Sequence, residues 1–292
     1  RGRLSVVFKI LGLNTYYVIF AGPIPLQPSA ILSVQTIVLI ILCTLAYMID
    51  RSFGEEPVLD ISPFISAPAF VLYSLPLVAV LATHLLNGWN VAVLQVLLIL
   101  LIAAIILTFL SASLPSQLYP VAVVFIALAV LLHTSLVSRF LIEWADLSFE
   151  YWVANDVLLR GYWDLDIQDR VGTTLSITIL APSYSLLCGL DLVSVFKICY
   201  PALLALVPLG AYVITKPVLG ERESLLAAFL IISAPVFFTE MLGLSRQMVA
   251  ELLLVTILLI FTNRTNVSGH ISALAWFLVL GMIVSHYGTV FI

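Results

Sequence analysis

The chain has 292 residues, of which 62% are hydrophobic and only 10% are charged, and its formal net charge is −4. Soluble domains carry about 25% charged residues, so a water-soluble body of this size could not hide so much apolar surface. The small and dispersed negative charge also argues against a nucleic-acid partner. The composition therefore predicts an integral membrane protein whose first partners are membrane lipids.

Apolar segments long enough to cross a bilayer recur along the whole chain. A spanning helix needs about 20 largely apolar residues, and Pro and Gly separate most of the candidates. The first candidate is the weakest because Lys9 and Asn14 interrupt it. The sequence predicts an all-α polytopic helical bundle with about nine transmembrane helices, at 4–21, 31–48, 64–84, 91–110, 119–138, 192–214, 224–238, 248–261 and 271–286.

The chain divides into two predicted regions. Residues 1–112 hold transmembrane segments to which the sequence assigns no role, and residues 113–292 form a second transmembrane core. The chain starts at Arg1 and stops inside the apolar run 277–292. We therefore expect a piece of a longer protein, whose core continues past residue 292.

The segment 171–190 decides which side of the membrane each later loop faces. If it spans the bilayer, Lys216, Arg222 and Arg264 all lie outside, and if it is interfacial or re-entrant all three lie inside. Cytoplasmic loops are enriched in Lys and Arg, which favours the second topology. A break at Pro182 also shortens any apolar helix here below spanning length. We predict that this segment does not cross the membrane.

On that topology, residues 139–191 form one large extracytoplasmic loop, in which acidic residues outnumber basic ones. Phe149, Trp152, Val153 and Val157 follow helical spacing within it. An amphipathic helix of this kind lies at the surface of a membrane. The loop is thus predicted to carry interfacial helices.

Two carboxylates of this loop, Asp146 and Glu150, are four residues apart, which places them on one face of a helix. A carboxylate at the outer lip of a bilayer could take a proton from an acceptor hydroxyl or hold a divalent cation such as Mg²⁺ or Mn²⁺. The alternative is structural: Asp146 caps the following helix and Glu150 faces water. The spacing alone leaves both interpretations open.

Further ionisable residues interrupt the apolar runs near the end of the chain: Glu240, Arg246, Glu251 and His286. A charge at the centre of a membrane helix costs about 2.5–3.5 kcal/mol, so such groups tend to be paired and functional. The planar fork of Arg246 suits a phosphate group. The alternative is an ion pair of Arg246 with Glu240 or Glu251 that only fixes helix packing, with His286 as a structural hydrogen-bonding residue.

The order of features along the second region resembles a known superfamily. After the acidic loop come a turn at 181–190 (APSYSLLCGL), Lys197 early in the next span, a basic turn at 216–223, Pro235 within a further span, and 244–246 (LSR) opening another helix. This order resembles the core of the GT-C superfamily of membrane glycosyltransferases, which includes protein mannosyltransferases and lipid A aminoarabinose transferases.

The motifs at 150–151, 161–164 (GYWD) and 239–244 (TEMLGL) are more closely similar to an uncharacterised archaeal multi-pass family that we associate with this superfamily. The resemblance covers roughly residues 119–292. One departure is that Asp146 is followed by Leu147, where the superfamily often has a second acidic residue. This departure leaves the assignment of the base open.

The resemblance implies inverting transfer of a sugar from a polyprenyl-phosphate donor to a glycan or protein acceptor, at the extracytoplasmic face of the cell membrane. It implies no certain cofactor, and a divalent cation, Mg²⁺ or Mn²⁺, stays open. The residues it assigns are Asp146 as the base with Glu150 as its alternate, Arg246, His286 and Lys197 at the donor phosphate, and Glu240 and Glu251 in support.

Two other classes of protein fit the same composition. A transporter or flippase for a lipid or polar solute would line a mid-membrane path with these charges, and it predicts inverted repeats and broken helices. The sequence has no matching halves. A non-catalytic membrane scaffold predicts charges that are paired off, with no cavity beside Arg246.

The glycosyltransferase hypothesis makes a geometric prediction. Asp146, Arg246 and His286 should converge on one outward-facing cavity that a lipid phosphate can enter from the bilayer. A separation of more than about 20 Å between Asp146 and Arg246 would exclude a common reaction centre.

Overall fold

The computed structural model describes residues 24–25, 62–110, 114–138, 141, 146–164, 171–262 and 269–286. The predicted spans 4–21 and 31–48 and two of the predicted cytoplasmic cations, Arg51 and Arg264, lie outside these residues. In the described part, four helices are long and apolar enough to cross a membrane, or five if one bent pair counts as a single span. The chain is thus an all-α protein with membrane-spanning helices.

The helices of the described residues are numbered in chain order, and three short 3-10 turns and two short strands accompany them there. The helices are α1 (Ala67–Trp89), α2 (Val93–Leu110), α3 (Tyr119–Val137), α4 (Leu147–Arg160), α5 (Leu175–Thr178), α6 (Leu180–Cys188), α7 (Leu192–Leu219), α8 (Glu221–Ser233), α9 (Pro235–Phe238), α10 (Ser245–Thr262) and α11 (Gly269–Ser285). The 3-10 turns are Ser62–Ile65, Ser116–Leu118 and Glu240–Gly243, and the strands are β1 (Ile24–Pro25) and β2 (Tyr162–Trp163).

The first two spans, α1 and α3, make the most extensive helix–helix contact in the described part of the chain. Ala69 and Ala79 of α1 and Ala122 and Ala129 of α3 are all fully buried. Small side chains let two helix backbones approach closely, which is how helices pack in a membrane without a hydrophobic driving force between them.

The span α7 is irregular around Pro201. A proline has no N–H, so it cannot donate to the carbonyl four residues earlier, which here belongs to Lys197. The helix widens into a π-helical turn over Val195–Cys199, and the carbonyl of Lys197 accepts a hydrogen bond from Ser135 Oγ of α3 at 2.9 Å instead. A hydroxyl from a neighbouring helix thus satisfies the group that the proline leaves unpaired.

Further along α7, Gly210 packs against the side chain of Val255 on α10. A Cβ atom at position 210 would collide with the γ-methyl groups of that valine. The contact therefore needs glycine, and it brings α7 and α10 close together in the middle of the bundle.

The segment between α8 and α10 is a broken span. The chain is bent by 61° between Glu221–Ser233 and Pro235–Gly243. Ala234 has an extended backbone at the break, with ψ at 125°, as expected for a residue that precedes a proline. The sequence predicted one span at 224–238, and the structure divides that stretch at Pro235.

The helix directions define two ends of the bundle. Span α3 starts near Phe109, whose ring contacts Tyr119, and ends at Ser138, whose carbonyl accepts a hydrogen bond from Lys197 Nζ. Span α7 then runs back to Lys216. We call the two ends the Lys216 end and the Arg246 end, since α8 returns from the former and α10 starts at the latter.

The segment 171–190 forms two short helices at the Arg246 end, α5 and α6, which are interrupted at Ile179. Together they cover Leu175–Cys188, which is too short for the spanning test. The break falls three residues before Pro182, whose missing N–H cannot continue the helical hydrogen bonding. No unbroken helix of spanning length forms over this segment, and its position relative to the membrane stays a prediction.

Helix α4 packs on the bundle through only part of its predicted apolar face. Val153 and Val157 are buried against the bundle, whereas Phe149 and Trp152 are exposed and their rings stack on each other at 5.9 Å. All four side chains lie on one broad face of the helix, of which the Val153 and Val157 side packs on the bundle and the Phe149 and Trp152 side stays uncovered.

Candidate active site at the Arg246 end

Arg246 lies in the first turn of α10, is only 3% exposed, and is the centre of a polar cluster. Its Nη2 donates a hydrogen bond to Asp146 Oδ2, and its Nε lies 3.6 Å from Glu150 Oε1. Asp146 lies a hundred residues earlier in the chain, and both acids are at the start of α4. The direct contact meets the prediction that Asp146 and Arg246 lie close together.

The two carboxylates hold Arg246 from different environments. The side chain of Asp146 is 53% exposed, whereas Glu150 is completely buried. Glu150 Oε2 also accepts the backbone N–H of Ser245 at 2.8 Å, a donor that the helix start leaves without an intrahelical partner. One carboxylate of the cluster thus faces outward and the other anchors the arginine from within.

The structural alternatives for these acids are wrong in their details. Glu150 does not face water, since no part of it is exposed. Asp146 occupies the N-cap position of α4, but its side chain makes no capping hydrogen bond. Asp146 contacts the guanidinium of Arg246 instead of a backbone amide of α4, and Glu150 turns into the interior toward Arg246 and the amide of Ser245.

Burial raises the pKa of Glu150 from its ordinary 4.5 to about 7, because a carboxylate loses its hydration in the protein interior. The positive charge of Arg246 and the hydrogen bonds from Ser245 oppose this rise. The buried acid therefore holds a proton more readily near neutral pH than an exposed glutamate does.

His286 follows the last turn of α11 and is half-buried. The charges of Arg246 and Asp146 both act on its imidazole, so it belongs to the same cluster. The short helix α5 holds α11 in position: Ser176 Oγ donates to the carbonyl of Ser285 at 2.9 Å, and Tyr200 of α7 donates to the carbonyl of Ser176. Three of the predicted site residues are thus brought together.

Lys197 lies at the same end, but the structure gives it a different partner. Its ammonium donates to the carbonyl of Ser138 at the end of α3, and the residue is 8% exposed. A cation at the C-terminus of a helix is favourable because the last carbonyls carry partial negative charge. The contact therefore gives Lys197 a structural role in addition to the donor-phosphate role implied by the resemblance.

The structural alternative predicted an ion pair of Arg246 with Glu240 or Glu251. The structure pairs neither acid with Arg246. Glu240 is exposed in the 3-10 turn before α10, and Glu251 accepts a hydrogen bond from Gln247 at 3.0 Å, deeper in α10. The arginine turns instead toward α4.

A cavity of about 690 Å³ lies elsewhere in the bundle, between α2, α3, α8 and α9, and none of the three clustered side chains lines it. The predicted outward-facing cavity that Asp146, Arg246 and His286 would share stays a prediction. Among the described residues, no group of three or more His, Cys, Asp or Glu side chains could hold a metal ion.

The backbone and hydroxyl groups that complete the cluster were not predicted from the sequence. The amide of Ser245 could have been found, because helix N-termini bind anions and 244–246 was read as the start of a helix. The contact of Tyr200 with Ser176 had no local signal, since the two residues are 24 positions apart. No protein-family model, curated protein or solved structure matches this chain.

Proposed function

We propose that the protein transfers a sugar from a polyprenyl-phosphate donor to an acceptor hydroxyl at the Arg246 end of the bundle. The observation that carries the proposal is a buried arginine held between a buried and an exposed carboxylate, on helices that meet the membrane. A buried guanidinium at the end of a membrane helix is suited to a phosphate group that enters from the lipid. An exposed carboxylate beside it is suited to a proton that leaves an acceptor in water.

The proposed reaction starts with an exchange of partners on Arg246. The donor phosphate replaces the carboxylate of Asp146 on Nη2, and Asp146, freed from the guanidinium, turns to the acceptor. It takes the proton of the acceptor hydroxyl as that oxygen bonds to the anomeric carbon. The bond from the anomeric carbon to the phosphate oxygen breaks, the phosphate leaves with the electron pair, and Arg246 stabilises the charge that develops there.

Glu150 has a positioning role in this proposal. It does not reach the surface, but it fixes the guanidinium through the contact with Nε and fixes the start of α10 through the amide of Ser245. An arriving phosphate adds negative charge beside Glu150, which favours uptake of a proton by this acid because its pKa is already about 7. The cluster then keeps its charge balanced as the donor binds.

The finer structural expectations belong to the same proposal. We propose a GT-C type of fold with about nine spans, an active face outside the cell membrane, and Lys197 and His286 as further contacts of the donor phosphate. The position of Lys216 and Arg222 at the opposite end from Asp146 supports this orientation, since cytoplasmic loops are rich in Lys and Arg.

The first test is binding of dolichyl phosphate to the full chain in lipid nanodiscs. Arg246→Ala should raise Kd by about tenfold or more, because a hydrogen-bonded charge pair contributes about 1.5–3 kcal/mol. Arg246→Lys should restore binding only in part, since an ammonium lacks the two-pronged fork. Arg222→Ala, at the opposite end, is the matched control and should leave Kd unchanged.

The second test separates the carboxylate from the phosphate site. Asp146→Asn removes the base while nearly preserving shape, so transfer from a dolichyl-phosphate sugar should fall to background. Binding of dolichyl phosphate should hold or tighten, because the competing anion is gone. Near-normal turnover in both Asp146→Asn and Glu150→Gln would end the carboxylate-base mechanism.

A transporter or flippase is the second candidate, and the broken span favours it. A helix bent by 61° at Ala234 is the kind of discontinuous element that lines substrate sites in transporters. The two functions differ in chemistry. Movement of dolichyl phosphate between the leaflets of a vesicle without cleavage of any sugar bond would favour transport over transfer.

One observation also supports the scaffold hypothesis. The charge of Arg246 is paired with carboxylates of the same chain. The scaffold hypothesis predicts that Arg246→Ala lowers stability while neither dolichyl-phosphate binding nor transfer is found in the unmodified chain. The binding measurement therefore separates the scaffold from the other two classes, and cleavage of the sugar bond separates transfer from transport.

A further inference from the structure

Two buried hydroxyl groups toward the Lys216 end of the bundle have no hydrogen-bond partner in the part of the chain that the structure describes. They belong to Tyr212 of α7 and Ser224 of α8. Tyr212 is 1% exposed and Ser224 is completely buried. Nearly all buried polar groups in proteins bond to the protein or to ordered water, because an unsatisfied one is unfavourable. The two hydroxyls therefore indicate a bound molecule at this place.

The two hydroxyls lie on neighbouring helices that form a hairpin. Gly220, with φ at 91°, separates α7 from α8, and the two helices pack along each other. Tyr212 lies about two turns before this glycine and Ser224 about one turn after it. The phenol of Tyr212 interacts electrostatically with Glu221, which shares a face of α8 with Ser224 because the two are three residues apart. Both hydroxyls are therefore directed into the same junction between α7 and α8.

The start of α3 closes this junction on a third side. Tyr119, the first residue of α3, is 7% exposed, and its phenol interacts electrostatically with that of Tyr212. Helix α3 contacts both α7 and α8. In the 3-10 turn before α3, the side chain of Ser116 is hydrogen-bonded to the carboxylate of Glu221. The junction is thus enclosed by three helices and has several polar groups in its walls.

The charges at the mouth of the junction are balanced. Lys216 Nζ lies 2.7 Å from Glu221 Oε1 and 6.0 Å from the centre of the Tyr212 ring. An anion bound at the two hydroxyls would be repelled by Glu221, and a cation would be repelled by Lys216. Two hydroxyls, which each donate and accept hydrogen bonds, suit a neutral molecule that does both. Water is the smallest such molecule, and it commonly bonds to buried polar groups that lack another partner.

We propose that the junction between α3, α7 and α8 binds an ordered water molecule that is hydrogen-bonded to both Tyr212 and Ser224. The two hydroxyls are not bonded to each other, so a molecule between them can contact both. Its path of entry is the surface at Lys216 and Glu221, where both side chains are more than 40% exposed. The water joins two spans at the end of the bundle opposite Arg246, and the proposal does not depend on glycosyl transfer.

The first experiment is X-ray hydroxyl-radical footprinting of the full, unmodified chain in lipid nanodiscs. Radicals formed from a bound water modify the side chain beside it, even where bulk solvent has no access. Tyr200 is the matched control, because it lies on the same helix, is completely buried and donates its hydroxyl to the carbonyl of Ser176. Tyr212 should be modified severalfold faster than Tyr200, as measured by mass spectrometry. Equal modification of the two tyrosines would overturn the proposal.

Two conservative substitutions measure the hydrogen bonds to this water. Tyr212→Phe and Ser224→Ala each remove one hydroxyl and keep most of the side-chain volume. Each should lower the folding equilibrium constant in detergent micelles by about fivefold. An unchanged or raised constant in either variant would show that its hydroxyl has no partner, and would overturn the proposal. Ser233→Ala, at an exposed position of the same helix α8, is the control and should change the constant by less than about twofold.

The double variant decides whether one molecule bridges the two hydroxyls. Removal of one hydroxyl weakens the binding of the water, so the second substitution should cost less than it does alone. In Ser224→Ala, the modification of Tyr212 by radicals should also fall toward that of Tyr200. Additive losses of stability, or unchanged modification of Tyr212 in Ser224→Ala, would assign separate partners to the two hydroxyls and overturn the shared site.

Discussion

Two ion pairs at opposite ends of the bundle show how much the surroundings of a charge decide its role. At the Lys216 end, Lys216 Nζ and Glu221 Oε1 are 2.7 Å apart, and both side chains are more than 40% exposed. At the Arg246 end, the arginine and Glu150 are almost completely buried and only Asp146 reaches the surface. The first pair is short and well formed, yet water solvates both partners, so its contribution is small. The second leaves a costly buried charge behind if one partner is removed.

The most direct test of this comparison is to remove the buried cation. Arg246→Met leaves the buried Glu150 without its counter-charge, so the free energy of unfolding should fall by about 3–5 kcal/mol at pH 8. Denaturant titration in detergent micelles measures this. The loss should be smaller at pH 5, where Glu150 takes up a proton. Arg222→Met, which removes an exposed cation over an aromatic ring, should cost no more than about 1 kcal/mol, and an equal loss in both variants would contradict the comparison.

The pH dependence of the free energy of unfolding is a second test of the comparison between the two ion pairs. The pKa of Glu150 is about 7 in the folded state and near 4.5 when unfolded, so the folded protein binds this proton more tightly. Its contribution is fully present below pH 4.5 and is lost as the pH rises through about 7. A rise of this size corresponds to about 3 kcal/mol at about 1.4 kcal/mol per pH unit. Glu150→Gln should remove that slope between pH 4.5 and 7, and an unchanged slope would assign it to other groups.

A smaller effect is expected at the π-helical turn of α7. Ser135→Ala removes the donor that satisfies the carbonyl of Lys197, and the free energy of unfolding should fall by about 1 kcal/mol. Pro201→Ala supplies a backbone N–H that can take this carbonyl back into the helix. In the Pro201→Ala background, Ser135→Ala should therefore cost less, and a double-mutant cycle with zero coupling would show that the two residues act separately.

The smallest effect belongs to the exposed pair. Lys216→Met and Glu221→Gln should each change the free energy of unfolding by less than about 1 kcal/mol, and 0.5 M NaCl should reduce the change further because salt screens exposed charges. The same titration with and without salt measures this. A loss as large as that of Arg246→Met would mean that exposure does not separate the two pairs.

The sequence was informative about the helices and about which residues lie at the same end. Hydropathy and Pro positions predicted α1, α3 and α7, and the Lys and Arg distribution placed Lys216 and Arg222 opposite Asp146. The spacing of Asp146 and Glu150 predicted that both lie on one face of α4, and both do contact the same guanidinium. These features depend on local periodicity and on chain direction, which a single sequence records.

The partner of Arg246 could not be predicted from local periodicity or chain direction. Glu240 and Glu251 are its neighbours in sequence, so they were the natural candidates for an ion pair, but the pairing that forms joins residues a hundred positions apart. The bend at Ala234 was foreseen only as a proline within a span. The apolar cavity depends on how α2, α3, α8 and α9 pack, and no segment of the sequence carries that information by itself.

The contact of Gly210 with Val255 has a consequence for tracing the ancestry of the chain. The space between α7 and α10 is shared by two positions, so it constrains the pair and not either residue alone. A homologue with alanine at position 210 should carry alanine or glycine at position 255, and one with a larger residue at 255 should keep glycine at 210. Such coupled variation would identify descendants of the same fold even after the surrounding leucines, isoleucines and valines have been exchanged beyond recognition.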